Sequence, residues 1–76
     1  MLRYYYNTWD YWINYRIDIE TAIRIALRQV PGRVIKAELD TENGLLVYEV
    51  KILTDYGVYE VKINADTGRI IEIDRD

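Results

Sequence analysis

The chain of 76 residues contains no cysteine and no histidine. Without cysteine no disulfide can stiffen the fold, and no thiolate can act as nucleophile or metal ligand. Without histidine the usual general base near neutral pH is missing, as is the commonest nitrogen ligand for zinc or copper. No apolar run approaches the roughly 20 residues of a membrane span, so none is expected. Basic residues are scattered, with ten Lys and Arg against thirteen Asp and Glu, a net charge of −3 and a pI near 4.8. Binding a phosphate backbone needs a basic patch, so nucleic acid is not an expected partner. The first residues are polar and aromatic, not basic-then-aliphatic, so no secretory signal is read there.

What is present is a globular composition, half of it hydrophobic, in a length that makes one small domain. A chain of this size buries roughly 60% of its unfolded surface, which leaves a thin stability margin. Asp18 is a good N-cap for a helix over 18–30, and Glu20 suits the positive end of its dipole. Ile19, Ala22, Ile23, Ala26, Leu27 and Val30 form one apolar stripe at spacings of three and four, with Arg24 and Arg28 on the wet side. Pro31-Gly32 ends the helix. The period then changes to two.

Arg33 to Asp40 places Ile35, Ala37 and Leu39 on one face and Lys36 and Glu38 on the other. Glu42-Asn43-Gly44 is a hairpin signal, because Asn-Gly readily adopts positive φ. Leu45 to Thr54 turns Leu46, Tyr48, Val50 and Ile52 inward. Val58 to Asn64 turns Tyr59, Val61 and Ile63 inward, and Arg69 to Asp74 adds Ile71 and Ile73. Asp55-Tyr56-Gly57 and Asp66-Thr67-Gly68 are the intervening turns, the second an Asx-type turn. The expected fold is α+β: one main helix packed on a four-stranded antiparallel β-meander, with a short aromatic N-terminal helix added.

The candidate chemistry is sparse. Asp40, Glu42 and Asn43 gather at one turn, and Asp66, Asp74 and Asp76 near another, but no twelve-residue stretch has calcium-loop spacing. These carboxylates read as turn chemistry, with no metal, no cofactor and no catalytic residue. The outward sheet face carries Lys36, Glu38, Glu49, Lys51, Glu60, Lys62 and Glu72, an alternation that reads as a solvated ladder. Its rim is less polar, with Val34, Val47, Leu53, Val58 and Ile70 expected to point outward.

Seven of the ten aromatics crowd into the first sixteen residues. Asn7 can cap a short helix with Asp10 in its first turn and Arg16 in its last, although Tyr, Trp, Ile and Thr also favour strands. Trp9, Trp12 and Ile13 then enlarge a small core. More aromatic surface is present than one short element can bury, so Tyr4, Tyr5, Tyr6, Trp9, Tyr11, Trp12 and Tyr15 are the candidate partner-binding residues. Tyr and Trp supply stiff, amphipathic contact area at low entropic cost. A symmetric homodimer through this segment is one expectation.

Three segments carry a resemblance: Ile17-Asp18-Ile19-Glu20-Thr21-Ala22, Ala26-Leu27-Arg28-Gln29-Val30-Pro31-Gly32, and Tyr59-Glu60-Val61-Lys62-Ile63-Asn64-Ala65-Asp66-Thr67-Gly68-Arg69-Ile70. Residues 17–74 resemble the PepSY domain, the small module of thermolysin-like protease propeptides and of a spore-germination protein. The resemblance divides the chain into an aromatic extension, 1–16, and a PepSY-like domain, 17–76. It implies a helix on an antiparallel sheet, a non-enzymatic role in restraining or inhibiting a peptidase, and a place outside the cytoplasm or at an envelope. A second reading is a stand-alone or engineered scaffold that binds or self-associates through its Tyr/Trp-rich segment.

Overall fold

The computed structural model describes residues 16–76. The expected N-terminal helix and the candidate contact residues between Tyr4 and Tyr15 lie outside the described residues. Helix α1 spans Ile19–Gln29. Asp18 caps it as expected, its carboxylate accepting the Thr21 N–H at 2.8 Å. That bond holds the Asp18 carboxyl below its ordinary range. Glu20 in the first turn and Arg28 in the last complement the dipole. The helix stops at Val30, whose N–H still reaches Ala26 C=O at 2.9 Å, and Pro31 follows.

The four strands are β1 Arg33–Glu42, β2 Leu45–Thr54, β3 Gly57–Asn64 and β4 Ile70–Arg75, antiparallel in the order β1-β2-β3-β4. Asn43 and Gly44 close the first hairpin at φ of 52° and 81°, the positive pair that a two-residue type I′ turn requires. Helix α1 lies over β1, β2 and β3. Beneath it Val50, Ile52, Val61 and Ile63 are fully buried, each stabilising by about 1.5–3 kcal/mol relative to exposure. Ala22 and Ala26, one turn apart, are also fully buried. Their small side chains let the helix backbone approach the sheet closely. Ile23, Ile25, Leu27 and Val30 pack around them, while Ile19, expected in the stripe, is exposed at the first turn.

Both edge strands depart from strict alternation. A bulge between Val34 and Lys36 shifts the register of β1, and another between Ile70 and Glu72 shifts that of β4. Each inserts one extra residue and reverses the phase on one side of it. Val34 therefore pairs with Ile52 and packs on the core, and Ile70 pairs with Ile63 and does the same. Ile35 and Ile71, expected inward, are left 51% and 48% exposed. On the outer face Val47 is covered, at 1% exposure, whereas Leu53 is exposed. The bulges also bend the two sheet edges, a common guard against uncontrolled pairing.

The turn after β3 is of the expected Asx type, its side chains satisfying local amides, but with a different Asx residue. Asn64, not Asp66, supplies the side-chain oxygen, accepting the N–H groups of Asp66 and Thr67 at 2.8 and 3.1 Å. The entry to α1 is tied to the sheet by Ile17 N–H to Ala65 C=O at 3.0 Å and by the Tyr48 hydroxyl donating to Ile17 C=O at 2.9 Å.

Gly32 makes the return from helix to sheet possible, because a Cβ there would sit 2.5 Å from Leu53 O and 2.7 Å from Ile52 Cγ2. One clash is with backbone and the other with a fully buried side chain, so neither can yield cheaply. Gly32→Ala is expected to cost about 1–3 kcal/mol in a urea unfolding titration. An unchanged midpoint would show that the β2 end can move aside.

Candidate protein-interaction surface

Helix α1 packs over β1, β2 and β3, and among the described residues this leaves part of the inner face open beside β4. At the helix C-terminus Gln29, Val30 and Pro31 face the β2–β3 turn of Thr54, Asp55 and Tyr56 across a groove of about 550 Å³. Tyr59 and Ile73 also line it. The turn is held by the Thr54 hydroxyl, which accepts the Tyr56 N–H at 3.0 Å and donates to Gly57 C=O at 2.9 Å. Arg75 fastens β4 to the same turn, donating to Tyr56 C=O with its guanidinium 6.0 Å from the centre of the Tyr59 ring. Tyr56 itself is 75% exposed. Apolar walls with one carboxylate and two tyrosines suit an apolar or aromatic side chain. They offer no acid–base pair and no activated nucleophile.

The outer face is charged, but opposed charges are of opposite sign throughout, as the expected ladder requires, only between β2 and β3; between β3 and β4 Glu60 opposes Asp74. Glu49 opposes Lys62, Lys51 opposes Glu60, and Lys62 opposes Glu72. Between β1 and β2, however, Lys36 opposes Lys51 and Glu38 opposes Glu49. Like charges in direct opposition are destabilising. The two-residue Asn43-Gly44 turn sets this register, because Glu42 opposite Leu45 counts back to both pairs without interruption. Lys62 is the organising cation, with Nζ 2.9 Å from Glu42 and 3.8 Å from Glu72. Its hydrogen bond to Glu42 holds the ammonium above its ordinary value. Glu49 pays for the arrangement: partial burial, a hydrogen bond shared with Glu42 and the nearby charges of Glu60 and Asp40 push its carboxyl up.

A carboxyl whose value is raised on folding favours the folded state more as pH falls through that value, and works against it above. Glu49→Gln is therefore expected to stabilise the protein slightly at pH 7, by no more than about 0.5 kcal/mol after solvent screening. The gain should fade as pH drops through the raised value of Glu49 toward its ordinary 4.5. Urea midpoints of both proteins at neutral and acid pH test this. A gain that grows on acidification would reverse the assignment.

Among the described residues, no three Asp, Glu, His or Cys side chains gather in a way that could hold a metal ion. No described helix is long and apolar enough to cross a membrane. The candidate contact residues Tyr4, Tyr5, Tyr6, Trp9, Tyr11, Trp12 and Tyr15 lie outside the described residues. The groove's own tyrosines, Tyr56 and Tyr59, were not singled out by sequence. Tyr59 read as core and Tyr56 as turn, and only the location of the helix C-terminus joins them.

The architecture has relatives. Over 61 residues the chain is 41% identical to an uncharacterised protein of Bacillus subtilis strain 168, YkoJ, covering 79% of this chain and 36% of that protein. A crystal structure of a candidate lipoprotein from Clostridium difficile 630 superposes with a TM-score of 0.79 at 23% identity, over 84% of this chain and 42% of the other. That likeness speaks for the fold. The chain thus spans little more than a third of the curated relative it matches. Residues 16–74 match the family described as the peptidase propeptide and YPEB domain. With the helix-on-meander fold and this match across most of its length, the chain belongs to the PepSY family.

Proposed function

We propose that the chain is a non-catalytic protein-binding module that restrains a peptidase. The family description, which names peptidase propeptides, supports the peptidase part. The binding part is carried by one observation: an open groove in which the exposed Tyr56 stands beside Tyr59, Val30, Pro31 and Ile73. Clustered tyrosines with apolar neighbours are the composition of interface hot spots, where a few side chains supply most of the binding energy. A place outside the cytoplasm or at an envelope goes with this reading.

The test is functional. Immobilised chain is expected to retain a casein-hydrolysing activity from the extracellular and envelope fractions of the source cell, and free chain added to the eluate should slow that hydrolysis. Tyr56→Ala, which removes an exposed side chain, should weaken both effects while leaving the unfolding midpoint within about 0.5 kcal/mol of the parent. A column that retains no peptidase activity would contradict the proposal.

A further inference from the structure

The outward edge of β1 is a second surface, distinct from the groove, and its backbone state follows from the register. In a two-residue hairpin the flanking pair, here Glu42 and Leu45, exchanges both backbone hydrogen bonds. Counting back, Asp40, Glu38 and Lys36 bond to β2, while Thr41, Leu39 and Ala37 turn their N–H and C=O groups away from the sheet. Two contacts confirm the phase. Ala65 N–H reaches Leu46 C=O at 2.9 Å on the far side of β2, and the Thr41 N–H is taken by the Asp40 carboxylate at 2.8 Å. Among the described residues no strand pairs with this edge. It runs regularly from Lys36 to Glu42 beyond the bulge. The β4 edge is shorter and carries its bulge within it.

Side chains along β1 follow the same alternation. Ala37, Leu39 and Thr41 lie on the helix side, with Leu39 44% exposed. Glu38, Asp40 and Glu42 lie on the other face, with Glu49 directly behind Glu38. Lys36 pairs with Glu38 at 3.6 Å and Lys62 with Glu42, so the strip is most negative around Asp40 and Glu49. A second copy pairing antiparallel about Leu39 would set Glu38 against Asp40 twice, like charge on like charge. The charge favours a different occupant.

We propose that β1 takes up an extended segment of a partner protein as a fifth strand, and that this segment alternates apolar and basic side chains. Its backbone would meet the outward groups of Ala37 and Leu39. Its apolar side chains would cover Leu39, and its basic ones would lie against Glu38 and Asp40. The inference rests on the reading of the chain as a protein-binding module and names the chemistry of what it binds.

The probe is a short peptide of alternating lysine and valine with both termini blocked, titrated into the full chain. Binding should slow amide hydrogen exchange at Ala37 and Leu39 and weaken as salt is raised. An alternating glutamate–valine peptide, and a lysine–valine peptide N-methylated on its pairing edge, should not bind. The double variant Glu38→Lys, Asp40→Lys should weaken binding about tenfold or more. Leu39→Pro should abolish it with circular dichroism unchanged, since that N–H makes no bond within the sheet and edge strands tolerate such a proline. Binding that leaves Ala37 and Leu39 exchange untouched, or that the charge reversal does not weaken, would overturn the proposal. So would amides at Ala37 and Leu39 already protected before peptide is added, the sign of a second copy or of residues 4–15 on the edge. If a peptidase is retained equally by parent and Leu39→Pro, and the peptide does not bind, the edge fails and the module reading stands. If the peptide binds as described but no peptidase is retained, the edge stands and the peptidase reading fails.

Discussion

One helix has to cover four strands, and most of the molecule follows from that mismatch. Eleven residues of α1 give a rod about 16 Å long, whereas the ten residues of β1 and β2 extend about 33 Å. The helix must therefore lie close and be placed well. Ala22 and Ala26 allow the close approach, and Gly32 lets the chain return directly beneath Leu53. The Tyr48 hydroxyl on Ile17 C=O fixes the entry. Where the helix ends, Tyr59 and Ile73 are left half-covered, and the groove exists because of it.

The same shortage bears on function. A larger domain would bury a greater share of its inner face. Here stability is concentrated under the helix, in Val50, Ile52, Val61 and Ile63. Among the described residues, the edges and the far corner have less cover and are expected to open locally first. Charge then distinguishes the two edges. On β1 a negative strip flanks a backbone edge that no described strand pairs with, and on β4 the acidic side chains lie beside a bulge and the end of the strand.

Much of this was legible in the sequence, for local reasons. Asp18 before an apolar stripe, Asn43-Gly44 between alternating runs, and Pro31-Gly32 after the helix each act within a few residues of themselves. The bulges were not legible. Ile35 and Ile71 fit an alternating pattern as well as their neighbours do, and only pairing with β2 and β3 shows which residue is supernumerary. The opposition of Glu38 and Glu49, by contrast, follows from the two-residue Asn43-Gly44 turn by counting back from Glu42 opposite Leu45. Asn64 displaced Asp66 as the turn acceptor because its side chain already lies at the strand end, within reach of two free amides. The groove was beyond sequence altogether. Val30, Tyr56 and Ile73 are far apart in the chain and meet only through the tertiary placement of the helix end.

Native-state hydrogen exchange measures the helix-cover account most directly. Amides of Val50, Ile52, Val61 and Ile63, paired within β2 and β3 beneath α1, should exchange only through global unfolding. Those of Glu72 and Asp74 in β4, outside the helix's cover, should exchange sooner, through local opening. Equal protection across all four strands, or slowest exchange in β4, would contradict the claim that a single short helix decides where this fold is stable and where it is open.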